Sequence, residues 1–168
     1  MGKRSDFERV PRDFYRTPPE AVEPLVQFLN KYQTYVEPCA GDGALVDVLR
    51  HHDMHCETML DIEPHAACVL PGDTRNVRID KLVITNPPWT RPIMHDMIDN
   101  WRHGEGCWLL FDADWMHTAQ SAPYMPHCHH IVSIGRVKWI PGSKSVGKDN
   151  CCWYNFGSSE KDTVFHGR

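Results

Sequence analysis

Apolar and polar positions along this chain alternate between two periods, and the alternation predicts an α/β protein. Leu82-Val83-Ile84-Thr85 and Cys107-Trp108-Leu109-Leu110-Phe111 are short apolar runs between turn residues, the pattern of buried strands. Tyr35-Val36-Glu37 and residues 57–61 read as two further strands. Val22, Leu25, Val26 and Leu29 recur at helical spacing, so residues 18–31 read as a helix despite Pro24. Thr17 is its expected N-cap and Pro18 its first residue. A second helix starts at Leu45, Val46, Val48 and Leu49. Ile93, Met94, Met97, Ile98 and Trp101 space a third, ended by Gly104 and Gly106. Towards the C-terminus, residues 130–134, 136–140 and 152–156 are strand material around a Gly/Ser/Lys loop over 141–150. They predict an antiparallel hairpin at the sheet edge.

Composition narrows this picture only slightly. A length of 168 residues suits one domain with a real core. Residues 1–12 are charged and are expected to be a flexible N-terminus, leaving 13–160 as the folded domain. The net charge of -4 argues against a wholesale polyanion binder but allows a local basic patch. No long apolar span or signal-peptide pattern is present, so no membrane is expected and the compartment is read as cytoplasmic. Seven cysteines, with Cys151 and Cys152 adjacent, point to reduced thiols rather than a disulfide framework. The clusters His51, His52, His55, Cys56 and His127, Cys128, His129, His130 lack zinc spacing, so no metal is expected.

Candidate chemistry collects at the ends of the strands. Gly41 and Gly43 stand between a strand and a helix, where open α/β sheets bind ligands, and they permit unusual backbone angles and close approach. The third glycine of a dinucleotide fingerprint and the Lys-Ser/Thr of a phosphate loop are both missing, which argues against NAD and ATP. Asp61, with Glu63 as second choice, ends the next strand, where a carboxylate holds ribose hydroxyls; Ile62 would then flank an adenine ring. The turn Pro71-Gly72-Asp73 carries another acid towards the same region. Asn86-Pro87-Pro88-Trp89 follows the central strand. Its two prolines fix φ and remove donors, leaving the Asn side-chain oxygen and a neighbouring carbonyl free to accept from one planar NH2 group. Trp89 offers a flat face for a planar ring. Phe14 and Tyr15 read equally as core packing or as a lid over a ligand. Arg136, Lys138, Lys144 and Lys148, set against Asp149, and the Thr90-Arg91-Pro92 corner are the candidate phosphate contacts.

In this order, Glu37-Pro38-Cys39-Ala40-Gly41-Asp42-Gly43, Asp61-Ile62-Glu63-Pro64 and Asn86-Pro87-Pro88-Trp89 resemble the amino-group (N6-adenine type) S-adenosylmethionine-dependent methyltransferases. Asp13-Phe14-Tyr15-Arg16-Thr17-Pro18-Pro19 is similar to the additional cofactor motif of that family. The chain as a whole resembles the small adenine-methylase-like proteins carried by bacteriophages, which implies the host cytoplasm. The resemblance covers nearly all of residues 13–156. It implies a Rossmann-like, mostly parallel sheet with one antiparallel strand near the edge and helices on both faces. It implies S-adenosylmethionine as cofactor, with Glu37, Ala40 and Gly41 along its methionine part. Asp61 would hold the ribose, Ile62 the adenine face and Asp73 the adenine edge, with Phe14 and Thr17 closing the pocket. It implies that Asn86, Pro87 and Trp89 meet the substrate. The implied reaction is N6-adenine methylation of DNA by a monomer or homodimer. Cytosine N4, an RNA base or a glutamine amide would present the same NH2, and a non-catalytic or anti-restriction cofactor-binding module is the alternative outside enzymes. No stretch has the length of a separate target-recognition domain, which implies relaxed sequence specificity.

Overall fold

The computed structural model describes residues 14–142 and 146–168. The expectation for residues 1–12 and the placements of Asp13 and Lys144 lie outside the described residues. Eight strands form one sheet: β1 (Thr34–Glu37), β2 (His55–Asp61), β3 (Leu70–Pro71), β4 (Val83–Thr85), β5 (Cys107–Asp112), β6 (Cys128–Arg136), β7 (Asn150–Phe156) and β8 (Val164–His166). Their spatial order is β3-β2-β1-β4-β5-β7-β6-β8. Strands β1 to β5 pair in parallel, β7 runs antiparallel to both β5 and β6, and β8 is parallel to β6.

Alternate residues of the central strands point to opposite faces, and each face has its own apolar cluster. Trp108 and Leu110 of β5 and Trp153 of β7 pack under α1 (Pro19–Val26) and α2 (Ala44–Arg50). Cys107, Leu109 and Phe111 of β5, with Tyr154 and Phe156 of β7, pack against Met94, Met97, Ile98 and Trp101 of α3 (Arg91–Trp101). The polar atoms of the buried indoles are satisfied: Trp153 Nε1 donates to Ala21 O at 2.7 Å and Trp101 Nε1 to Val77 O at 3.1 Å. Helices therefore cover both faces, as expected for a sheet whose inner strands are apolar on both sides.

Several expectations are corrected in detail. The first helix stops at Val26 rather than reaching residue 31; Phe28 N and Leu29 N bond three residues back, to Leu25 O and Val26 O, as the last turn tightens. Thr17 does not cap it. The N-cap is Pro18, with no side-chain cap bond, and the Thr17 hydroxyl is used elsewhere. Strand β6 ends at Arg136, after an irregularity near Gly135 (φ +78), so 137–140 leave the sheet. The hairpin β6–β7 forms, but β8 lies outside it, and the sheet thus extends past residue 160. Between β5 and β6 the chain makes three short 3-10 turns. All seven cysteines are free. No helix among the described residues is long and apolar enough to cross a membrane.

Candidate active site

The chain runs outward from β1 to β2 and β3, then returns to place β4 on the other side of β1. Loops leaving β1 and β4 diverge at that switch point, and open α/β sheets bind ligands in the crevice this leaves. Here it is a cleft of about 490 Å³. Phe14, Thr17, Ala40, Gly41, Asp61, Ile62, Asp73, Asn86 and Pro88 all line it.

Glu37, which the resemblance set along the cofactor, is not among the residues that line this cleft. Glu37 ends β1 and is 2% exposed. Its Oε2 has no hydrogen-bond partner. Burial pushes its carboxyl well above the usual carboxylate range, and the nearby charges of Asp61, Asp42 and Asp47 push the same way. A buried acceptor without a donor is costly, so this corner is complementary to a cationic or hydrogen-bond-donating group.

Above it the chain turns through Gly41 (φ +55) and Gly43 (φ +83), the latter serving as the left-handed N-cap of α2. A Cβ at Gly41 would come 2.6 Å from the Phe14 ring, so glycine serves both the backbone angle and the close approach of Phe14. Phe14 stacks on His65 with ring centroids 3.9 Å apart, and His65 N donates to Gly41 O at 2.9 Å. The Asp61 carboxylate ties the turn to β2: Oδ2 accepts from Gly41 N and Oδ1 from Glu63 N, each at 2.8 Å. Each oxygen keeps a second lone pair for a ligand hydroxyl. Ile62 beside it is 58% exposed, an apolar wall open to the cleft. Thr74 Oγ1 donates to Pro38 O at 3.2 Å and holds the Asp73 turn against the end of β1. Asp73 Oδ1 accepts from Arg75 N.

At the far wall stands Asn86. Its Nδ2 donates to Thr17 Oγ1 at 3.2 Å, and its Oδ1 accepts from Trp89 Nε1 at 3.2 Å. The same indole N–H reaches Leu110 O at 3.1 Å. Trp89 is partly buried, touches both core clusters and meets Trp139 edge to face at 5.8 Å, so it stands beside the cleft rather than spread across it. Pro87 is buried, and Pro88 reaches the cleft wall.

The basic candidates are scattered. Arg91 Nη2 pairs with Asp112 Oδ2 at 2.6 Å at the end of β5, outside the cleft. Lys138 and Trp139 border a second hollow of about 420 Å³, across the Arg16–Thr17 strap from the cleft. Lys148 is exposed and lines neither cavity. The cleft itself is acidic, with Asp42, Asp61, Glu63 and Asp73 on its walls against Arg16 and Arg75, and Arg16 is held by Asp42 at 2.9 Å. Such a surface repels a polyphosphate and attracts a cation.

Sequence reasoning missed His65, Arg75 and Trp139. His65 is one of 11 histidines and has no spacing signal; only the turn after Pro64 brings it under Phe14. Trp139 read as strand, and the early end of β6 turns it towards Trp89. Arg75 was findable from its position two residues past Asp73, whose side chain accepts from its backbone.

No known family profile matches this sequence, and no curated protein matches it. Solved structures do resemble it. A putative RNA methyltransferase from Pyrococcus horikoshii matches at TM-score 0.59 and 18% identity, over 94% of this chain and 93% of that one. A modification subunit of a putative type I restriction enzyme from Vibrio vulnificus matches at TM-score 0.56 and 12% identity, over 92% of this chain and 47% of that one. A dimethyladenosine transferase from Plasmodium falciparum matches at TM-score 0.57 and 12% identity, over 88% of this chain and 63% of that one. The fold is that of the Rossmann-like methyltransferases. The carboxyl ends of β1 to β4 and the loops after them carry Ala40, Gly41, Asp61, Ile62, Asp73, Asn86 and Pro88, while Phe14 and Thr17 come from the segment before α1. The chain spans about half the length of the type I modification subunits it resembles.

Proposed function

We propose that this protein is an S-adenosylmethionine-dependent methyltransferase acting on a planar NH2 group, with the N6 amine of adenine in DNA as the favoured substrate. One observation carries the reading: a single cleft joins the Asp61 carboxylate and the exposed Ile62 to the Asn86 carboxamide. Glu37 suits the cationic methionine end of that cofactor. Asp61 suits ribose hydroxyls, Ile62 the adenine face and Asp73 the adenine edge. The mainly acidic walls of the cleft suit a nucleoside that carries no phosphate. Likeness to type I modification subunits supports DNA as the polymer.

Bound S-adenosylmethionine supplies an electrophilic methyl group on a sulfonium. The chain's own part is alignment. Asn86 Oδ1 and the Pro87 carbonyl would accept from the substrate amine and favour a pyramidal nitrogen whose lone pair faces that methyl. Placed acceptors and orientation, rather than an acid-base pair, would supply most of the rate. In duplex DNA the amine is hidden, so the base is flipped out or already single-stranded. Lys138, Lys144 and Lys148 would contact phosphates, which position a strand but read no sequence. Relaxed specificity follows, unless a partner protein or a second copy of the chain supplies more surface.

An RNA base is the second reading, because the putative RNA methyltransferase from Pyrococcus horikoshii is matched over almost its whole length. A labelled-methyl assay over DNA, RNA and protein decides between them. Label is expected in N6-methyladenine of DNA and lost with Asn86→Ala; label in RNA or protein alone would refute the DNA assignment. Calorimetry tests the cofactor, with binding to wild type and weaker binding to Asp61→Ala. Because Asp61 also fastens Gly41, Asp61→Asn serves as the gentler comparison. No binding by wild type would remove the whole reading.

A further inference from the structure

We infer that Trp89 acts through its indole N–H, as a positioning residue that fixes which end of the Asn86 carboxamide faces the substrate; this role rests on the methyl-transfer reading above. A carboxamide has two ends of nearly equal shape, one that accepts and one that donates. Only the accepting end serves an incoming NH2 group. The neighbours of Asn86 decide which end points where. Thr17 Oγ1 lies 3.2 Å from Nδ2, but a hydroxyl donates or accepts and would satisfy either end. The indole N–H of Trp89, 3.2 Å from Oδ1, only donates. Turning the amide over would set two N–H donors against each other. Trp89 therefore holds the orientation, and Thr17 conforms to it.

The indole is itself anchored. The same N–H shares its hydrogen with Leu110 O at 3.1 Å, on the central strand β5, and Trp139 meets the ring edge to face. The orientation of Asn86 is thus referred through Trp89 to the backbone of the sheet. This differs from the use as a stacking platform inferred from the sequence. A platform needs only the ring face, whereas a positioning donor needs the nitrogen.

The two uses separate experimentally. Replacing Trp89 with benzothienylalanine keeps the ring and its packing and removes the donor; Trp89→Phe removes the donor with a smaller ring. Loss of a hydrogen bond of ordinary strength predicts a fall in kcat of about two- to thirteenfold for the isostere. KM for the cofactor and the Kd for the polymer substrate should stay at wild-type values, and the melting temperature should fall only by the few degrees that loss of the bond to Leu110 O accounts for. A kcat within twofold of wild type, or an effect confined to KM for the polymer, would overturn the assignment and return Trp89 to the platform role. Wild-type protein that binds the cofactor but transfers no methyl group to any NH2 substrate would instead sink the functional reading, and this role with it.

Discussion

Three strands of this sheet end in carboxylates, and two of those ends, on β1 and β5, are finished in opposite ways. Asp112 closes β5: Oδ2 accepts from Arg91 Nη2 at 2.6 Å, Oδ1 caps the following turn through Trp115 N at 2.9 Å, and the Tyr154 hydroxyl donates to its carbonyl at 3.1 Å. Glu37 closes β1 with Oε2 unpartnered and with three other carboxylates close enough to raise its pKa. Both are strand-end acids with little exposure. The β5 corner uses its charge in its own structure, while the β1 corner holds a buried carboxyl whose surroundings oppose its ionisation. A folded chain tolerates the second arrangement at a site where something else completes it.

The comparison can be broken at either corner. The largest effect is expected from Asp112→Ala, which leaves Arg91 partly buried without its partner and removes a turn cap. Such a loss costs about 3 kcal/mol, or a fall in melting temperature of roughly 6–12 °C at this chain length. Thermal denaturation measures it, and cofactor affinity should not change. Glu37→Gln should do the reverse, keeping or raising the stability of the free protein while weakening cofactor binding about tenfold or more, as loss of a charged hydrogen bond does. Calorimetry beside a thermal melt reads both quantities from one protein. If Glu37→Gln destabilises and binds normally, the two corners are alike after all.

Acid-base behaviour sharpens the same contrast. The folded-state pKa of Glu37 is raised above its unfolded value, near 4.5. Its contribution to stability is therefore fully present below that value and is lost as pH rises through the folded pKa. Free protein should lose stability over that window at up to about 1.4 kcal/mol per pH unit from this group, and Glu37→Gln should remove that part of the slope. Urea midpoints across pH 4.5–8 check this. Cofactor, as a cation beside ionised Glu37, should bind more tightly as pH rises. The smallest effect is expected outside both corners. Lys144→Ala with Lys148→Ala should lower the salt slope of DNA binding by about 2 and weaken all sites alike, with cofactor affinity unchanged.

How far the sequence foretold each corner follows from the range of the interactions. The glycine turn, the acid at Asp61 and the Asn-Pro-Pro corner were legible because strand ends, turn residues and their order along the chain are local signals. The cleft brings Asn86, Asp61 and Phe14 together by topology, and the resemblance in motif order anticipated that. The pairing of Arg91 with Asp112 was not legible. Arg91 read as a phosphate contact, since nothing local to it announces a carboxylate on the next strand. Trp89 read as a free face, because its hydrogen bond to Leu110 O crosses to β5. Strand β8 was missed because three residues between polar stretches carry too weak a period; its place is set by pairing with β6.

The place of β7 carries a consequence for how the molecule comes into being. In space β7 lies between β5 and β6, yet in the chain it follows both. While synthesis has reached only Arg136, β5 and β6 have no common neighbour, and the faces meant for Trp153, Tyr154 and Phe156 have nothing to pack on. The glycine turn and its two strands use only earlier residues and can assemble without this step. Completion of the sheet waits for a late strand to enter between two older ones, which is a long loop closure made before its contacts repay it. The residues that line the cleft are therefore all encoded before β5, and the strand that locks the two faces together arrives afterwards.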